Sequence, residues 1–455
     1  MPDHSNNHRD RALVIGGSLS GLLAARVLSS HFDNVTLIDR DSFPSGAEFR
    51  SGVPQSRHLH VLLIKGMEVF ERYFPGLSEE LIAHEATPAD IGDEFFYDSV
   101  FGPLAPFPSG LKLLLCSRNL IEWSVRERLK ALNNVRVISQ VDATGFLTRD
   151  DHRQIYGVQL RTRGGASETE TLTADLVVDA SGRVSKTTDW LSALGYPKPE
   201  IKVVNSHLGY STRWYKRPKN PKTQWKGILI NVKPPHNPRG GGLFSAEGGL
   251  WIITLAGIAG LYPPTDDEGF MDFARQLSHP ALYEAICEAE PVTQIYGYRR
   301  TENQWRHYER LTRWPGGLLV IGDAVCCFNP VYGQGMTSAA MGASLLDDQL
   351  RTIKDASSSE FGKGFQSQLA KFLETPWLIA TGEDFRWENT EGDRPGRAAR
   401  VVQGYMDRVV RLATLDAHAQ RSFLEVVHLL KPPMSLFHPR ILIPALTRRI
   451  EQEAF

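Results

Sequence analysis

The stretch Ala12–Arg40, ALVIGGSLSGLLAARVLSSHFDNVTLIDR, decides the fold. A short apolar run, Leu13 to Ile15, stops at Gly16-Gly17-Ser18-Leu19-Ser20-Gly21, a small-residue helix pattern follows through Leu28, and a second apolar run ends at Asp39. Strand, glycine turn, helix, strand, acid is the layout of a dinucleotide-binding unit. Gly16 supplies the tight turn, Gly17 keeps it free of a side chain, and Gly21 allows close packing of helix on strand. The N-terminus of the helix offers its free N–H groups to phosphates. Ser18 stands where the usual pattern has its second glycine. Asp39, about twenty residues beyond the turn, is placed to accept hydrogen bonds from a ribose.

The chain of 455 residues is long enough for two or three packed units around a large core. Its 42% apolar and 23% charged residues are those of a soluble globular protein. Lys plus Arg number 51 against 52 Asp plus Glu, and this balance recruits neither nucleic acid nor an acidic membrane. No apolar run approaches the roughly twenty residues of a transmembrane helix. The start MPDHSNNHRD lacks an apolar signal core, so the expected location is cytoplasmic. Cys116, Cys287, Cys326 and Cys327 have no metal-ligand spacing and read as reduced packing residues. His58 and His60 have no third ligand nearby in sequence, and no metal site is expected.

Working outward from the opening unit, residues 41–57 read as a loop, and His58 to Phe74 as a helix ended by Pro75-Gly76. Residues 88–115 scatter Phe95, Phe96, Tyr97, Phe101 and Phe107 among prolines, the composition of a core or of an apolar cavity wall. Ser117 caps a helix to Leu132; strands follow at Val135–Ser139 and Ile155–Thr162, with Gly164-Gly165 marking a hairpin turn. TADLVVDASGR, Thr173 to Arg183, is a buried strand ending in a glycine-bearing turn. From about 201 to 260 the pattern alternates, predicting antiparallel strands, a hairpin at Glu247-Gly248-Gly249, and a break in the Pro- and Gly-rich 233–242 loop. Asp266 or Asp267 caps a helix to Leu277, and Ala281–Glu290 continues as helix. The Arg-rich tail from 345 onward is helical in pattern.

A second motif is GLLVIGDAVCCFNPVYGQGMTSAAMGAS, Gly317–Ser344. A buried strand delivers Gly322-Asp323, a turn passes through Pro330, and Gly333-Gln334-Gly335-Met336 opens a helix of small residues. This places the Asp323 carboxylate for a ribityl hydroxyl, and a helix N-terminus against a heterocycle that turns anionic on reduction.

With these motifs in order, the chain resembles the flavoprotein monooxygenases related to para-hydroxybenzoate hydroxylase. GVPQSRHLHVLL at 52–63, FPGL at 74–77, CSRNLIEWSVRERL at 116–129 and FNPVYGQGM at 328–336 look most like the flavin epoxidases of polyether biosynthesis. The resemblance implies an α/β fold: a discontinuous Rossmann-like FAD-binding domain of glutathione reductase type, an inserted antiparallel substrate sheet, and a helical C-terminal region. The implied pieces are 1–87, 116–198 and 291–345 for FAD, 88–115 and 199–290 for substrate, and 346–455 for the helices. By resemblance Gly16, Gly17, Ser18, Gly21, Asp39 and Arg40 hold the adenosine diphosphate half of FAD, and Ser20, Arg118 and Gly182 also bind the cofactor. Asp323, Pro330, Gly333, Gln334, Gly335 and Met336 border the ribityl chain and ring. Arg50, Gln55 and His58 match the loop beneath the flavin and are the catalytic candidates.

The implied activity is oxygen transfer from O2 through a flavin C4a-hydroperoxide to an apolar polyketide- or terpenoid-like substrate, by epoxidation or hydroxylation. Aromatic hydroxylation and C=C reduction of the geranylgeranyl reductase type are the alternatives on the same fold. An alkene needs no deprotonation, whereas a phenol needs a base. No His or Tyr is marked as one by its setting, and the cavity candidates Phe95, Phe96, Phe101, Trp251 and Ile253 are apolar. Electrons come from NAD(P)H, directly or through a separate flavin reductase. The family's middle signature has an Asp where Ser181 stands and an Arg where Thr188 stands, while Gly182 and Ser185 match, which weakens the case for direct reduction. The Trp-x-Trp-x-Ile-Pro stretch of tryptophan halogenases is absent.

Overall fold

The computed structural model describes residues 9–164 and 169–448; Gly165 of the anticipated hairpin turn and the first eight residues lie outside them. The opening apolar run forms the strand Arg11–Ile15 at the centre of a five-stranded parallel sheet. Asn34–Ile38 and Leu176–Asp179 flank it, and Val135–Ile138 and Leu318–Val320 are the edges. Strands covered on both faces need no polar alternation, which is why these segments read as continuous Val, Leu and Ile runs. Ile15 pairs with Asp179 and Asp179 with Val320, so three strands far apart in sequence end side by side. Open parallel sheets bind ligands beyond such strand ends. The helices Leu19–Leu28 and Gly335–Leu350 pack on one another there through small buried residues, among them Ala24, Ala25, Ala339, Ala340 and Ala343.

The second sheet runs in the order Glu290–Pro291, Gly209–Lys216, Leu250–Gly257, Arg239–Ala246, Gly227–Ile230, Phe95–Ser99 and Gly102–Pro103, with Tyr296–Tyr298 also paired to Gly209–Lys216. Most pairs are antiparallel, but Phe95–Ser99 runs parallel to Gly227–Ile230, so the early insertion is knitted into the later sheet. Helices Asp267–Arg275, capped by the Asp266 side chain, and Ala281–Ile286 cover one face. Strand alternation decides which residues meet them. Trp251, Ile253 and Leu255 are buried against Phe270 and Phe273, while Thr254 and Ala256 face the opposite way. Two cavity-wall expectations therefore fail by a single residue of parity, Trp251 and Ile253. Phe96 fails with them: its ring sits 4.4 Å from His279 and 6.1 Å from Trp225.

Other differences are local. The anticipated helix at His58 begins at Ile64, because residues 54–57 form a single 3-10 turn and His58 is extended. The Leu59 N–H then donates to Thr254 Oγ1 at 3.0 Å instead of closing a helical turn. Gly240–Gly242 belong to a strand and not to the 233–242 loop, since their missing side chains make room for the neighbouring strand and for Leu59. Val141–Arg149 is a strand of a three-stranded antiparallel sheet that sequence reading passes over, and the helix from Ala281 stops at Ile286. Ser117 caps its helix by accepting the Leu120 N–H, as expected. The tail forms helices Ser359–Asp384, Arg397–Ala413, Ala417–Val427 and Pro439–Thr447. Among the described residues no helix is long and apolar enough to cross a membrane.

Candidate cofactor and substrate site

One continuous cavity of about 1740 Å³ starts at the glycine turn, passes the C-terminal ends of the parallel strands, and runs between the large sheet and the C-terminal helices. That exceeds the roughly 300–1,000 Å³ of a pocket for one drug-sized ligand and suits a dinucleotide with a second molecule beside it. Gly16, Ser18, Ser20, Asp39, Arg40, Arg118, Gly182, Asp323, Pro330 and Gly333–Met336 all line it, as do Arg50, Gln55 and His58.

At the turn, Gly16 has φ +102°, and a Cβ there would stand 2.6 Å from the Ala180 carbonyl oxygen. A Cβ on Gly21 would stand 1.7 Å from the Gly16 oxygen, so only glycine permits this crossing of turn and helix. Asp39 is buried, and its carboxylate accepts the Gly17 N–H at 2.6 Å and the Asp41 N–H at 2.7 Å. Burial raises its pKa while Arg50 pulls it down. A carboxylate has about four acceptor sites, which leaves room for a ribose hydroxyl beside the two amides.

Arg50 is spent at this end of the groove. Nε donates to Glu122 at 2.7 Å, Nη1 to Asp41 at 2.8 Å and Asp39 at 3.3 Å, and Nη2 to the Gly17 carbonyl at 3.2 Å. It clamps the turn and does not stand with His58. Arg118, also buried, donates to Ser18 Oγ at 2.6 Å and pairs with Glu122 at 3.1 Å; burial lowers its pKa and Glu122 opposes. Asp41 and Glu122 were invisible to sequence reading, having no motif of their own.

The two motifs meet at Gly322, whose φ of +60° and missing Cβ admit Ser20 Oγ from three hundred positions away; a Cβ would lie 2.4 Å from it. Asp323 follows, its pKa raised by burial against Arg183, Arg118 and Arg306. Gly333 turns the chain at φ +65° into Gly335–Leu350. Neither this helix nor Leu19–Leu28 has a side-chain cap or an acid in its first turn. Ser20 Oγ and Gln334 Oε1 are buried without a hydrogen-bond partner among the described residues. Two uncapped helix N-termini, two orphaned polar atoms and a buried acid along one groove fit FAD, whose phosphates would meet the first helix, its polyol Asp323 and its ring the second helix.

At the ring end, His58 is 4% exposed, and burial pushes its pKa down to about 4 with a further contribution from Arg57. Its Nδ1 lies 2.7 Å from Thr212 Oγ1, which lies 2.6 Å from Thr254 Oγ1, which accepts the Leu59 N–H. His58 Nδ1 and the two hydroxyls form one hydrogen-bonded chain, and the low pKa keeps the imidazole neutral. His60 Nδ1 faces the His58 carbonyl at 2.9 Å, and burial takes its pKa to about 3. Tyr210 and Tyr298 ring the same place at 6.0 and 5.3 Å from His58, both held protonated by burial.

The loop before the second helix is anchored from outside the nucleotide fold. Asp384, fully buried on the helix Ser359–Asp384, accepts from Tyr332 Oη at 2.8 Å, Asn329 Nδ2 at 2.9 Å, Ser206 Oγ at 2.9 Å and Asn303 Nδ2 at 2.5 Å. Burial pushes its pKa up to about 6, with those donors opposing. Ser181, in place of the family's Asp, turns its hydroxyl back to Asp179 at 2.5 Å. Beyond the ring end the cavity continues among Phe95, Leu229, Phe244, Met406, Phe423 and Val427.

A split parallel sheet with such a groove defines the class of flavin-dependent oxidoreductases. The "FAD binding domain" family model matches residues 10–359, and the chain belongs to that family, the flavin monooxygenases related to para-hydroxybenzoate hydroxylase. Protein Rv3254 of Mycobacterium tuberculosis is 28% identical over 437 residues, covering 94% of this chain and 92% of that one. Kynurenine 3-monooxygenase of Salinispora tropica is 25% identical over 392 residues, covering 78% and 75%. Among solved structures, a flavoprotein/dehydrogenase from Cytophaga hutchinsonii superposes with a TM-score of 0.67 at 15% identity, covering 95% of each chain. Asp384 lies beyond the family match.

Proposed function

We propose that the protein is an FAD-dependent monooxygenase that transfers one oxygen atom of O2 to an apolar alkene of polyketide or terpenoid character, as an epoxidase or a hydroxylase. The observation that carries this reading is the passage of the cofactor groove into an apolar chamber past His58, which is held neutral. Bound FAD, once reduced, supplies the activation of O2. The chain's part is to bind, orient and keep dry. Gly16–Gly21, Asp39, Arg40 and Arg118 hold the dinucleotide; Asp323 and Gly333–Met336 seat its polyol and ring; Phe95, Leu229 and Phe244 exclude water from the acceptor. Neutral His58, with its pKa pushed down to about 4, is a poor base, as are the protonated Tyr210 and Tyr298. An acceptor that needs no deprotonation suits that environment.

Aromatic hydroxylation is the second reading, favoured by the kynurenine 3-monooxygenase relative. Electrons come from NAD(P)H, directly or through a separate flavin reductase; Ser181, standing where the family carries an Asp and hydrogen-bonded to Asp179, favours the second route. The test supplies the purified yellow protein with a flavin reductase and NADPH in air. Long olefins should gain one oxygen atom, seen as a sixteen-dalton increase, and phenols should not. Olefin reduction without air would sink the reading in favour of a C=C reductase; turnover of phenols alone would transfer it to the second reading.

A further inference from the structure

The cavity reaches the surface in the C-terminal region, where Leu378, Val402 and Met434 line it while remaining 66%, 49% and 71% exposed. They belong to a wider apolar surface. Thirteen large apolar side chains are exposed among the described residues, and seven of them lie between 378 and 446, including Val401 at 73%, Ile443 at 59% and Leu446 at 53%. These elements form one helical unit. Arg397–Ala413 packs on Pro439–Thr447, Arg408 Nη1 reaches the Leu446 carbonyl at 3.5 Å, and the rings of Tyr405 and Phe437 stack at 4.5 Å. Exposed apolar surface concentrated at a cavity mouth marks an interaction site.

Charge narrows the partner. The chain as a whole carries −1 and residues 378–448 hold ten Lys and Arg against eight Asp and Glu, but the acids cluster before Arg394, and the helical unit of residues 394–448 holds nine Lys and Arg against three Asp and Glu. Arg397 and Arg400 precede Val401 and Val402, and Arg440 and Arg448 bracket Ile443 and Leu446; all four arginines are exposed. A two-fold dimer through this surface would set positive charge against its own copy. An anionic bilayer takes both features at once, apolar side chains entering the acyl boundary and guanidinium groups meeting lipid phosphates.

We infer that the C-terminal helical unit docks on an anionic lipid bilayer, with the cavity mouth opening onto it. The docking stands on the surface alone; that an apolar substrate enters from the bilayer rests on the proposed function. The test sediments the flavin-loaded full chain with phosphatidylcholine vesicles and with mixed phosphatidylcholine and phosphatidylglycerol vesicles, at low and high salt. Co-sedimentation is expected with the anionic vesicles, weakened by salt. The double change Arg397→Gln with Arg400→Gln should lower the affinity about 25-fold, given roughly fivefold per basic residue at an anionic surface. Val401→Glu should abolish binding while the flavin absorbance, which reports an intact fold, stays unchanged. Equal binding to both vesicle types, or none, overturns the inference. So does binding that Val401→Glu leaves intact, which would be charge attraction to any polyanion. A dimer in gel filtration that Val401→Glu dissociates would assign the surface to a second copy instead. Loss of yellow colour from the unmutated protein would count against the cofactor reading and not against docking.

Discussion

Two glycines in the groove have opposite surroundings, and replacing each separates the fold from the cofactor. A Cβ on Gly335 meets no protein atom within 4 Å, its φ is not positive, and the residue lines the cavity where the ring is placed. Gly335→Val should leave the apoprotein as stable as before, within about 0.5 kcal/mol, because Val and Gly differ little in helix preference. The new side chain occupies ring space, and overpacking of about 1–3 kcal/mol corresponds to a loss of FAD affinity of roughly 5- to 150-fold. Gly21→Ala acts the other way. Its Cβ would stand 1.7 Å from the Gly16 oxygen, where ordinary contact begins at 3.4 Å, so turn and helix must part by about 1.7 Å. The apoprotein should lose about 3 kcal/mol or more. Titrating apoprotein with FAD by fluorescence quenching, beside urea unfolding of the same samples, reads both quantities. A Gly335→Val protein with undiminished FAD affinity would refute the placement of the ring; a Gly21→Ala apoprotein of full stability would refute the rigid turn.

Acid should destabilise the protein through its buried histidines. His58 and His428 are each 4% exposed with pKa values near 4, below the usual 6.5, so the stability they contribute is present above pH 6.5 and lost as pH falls toward 4, on the order of 3 kcal/mol each. Asp384, raised to about 6, has the opposite sign: its contribution is present below about pH 4 and lost as pH rises through 6, which offsets part of the fall. Urea midpoints between pH 4 and 8 should give a flatter profile for His428→Gln, and an unchanged slope would contradict the assignment. Thr254→Val removes the acceptor of the Leu59 N–H and the hydroxyl hydrogen-bonded to Thr212. It should cost about 1–3 kcal/mol and lower turnover with FAD content intact, and Thr254→Ser should restore both. Asp323→Ala should purify with little yellow colour while keeping its circular dichroism; full FAD occupancy would remove that carboxylate from the site.

Much of the nucleotide fold was legible from the chain itself, because it rests on local chemistry. A glycine that must tolerate φ +102°, an apolar strand covered on both sides and an acid at a fixed offset are properties of neighbouring residues, and they leave their mark in Ala12–Arg40 and Gly317–Ser344. The substrate side was less legible. Trp251 and Thr254 read alike in an alternating segment, and only the helices packed on one face decide that Trp251 is core and Thr254 lines the cavity. Arg50 has no sequence sign that Asp39, Asp41 and Glu122 will surround it, and Asp384 none that it will hold Tyr332 and Asn329. The tail reads as Arg-rich and helical from its sequence, but which of its apolar side chains stay exposed beside those arginines is decided by packing. Backbone conformation and burial period are written in adjacent residues; which face is wet and which distant groups share a proton depends on packing between segments that sequence order does not bring together.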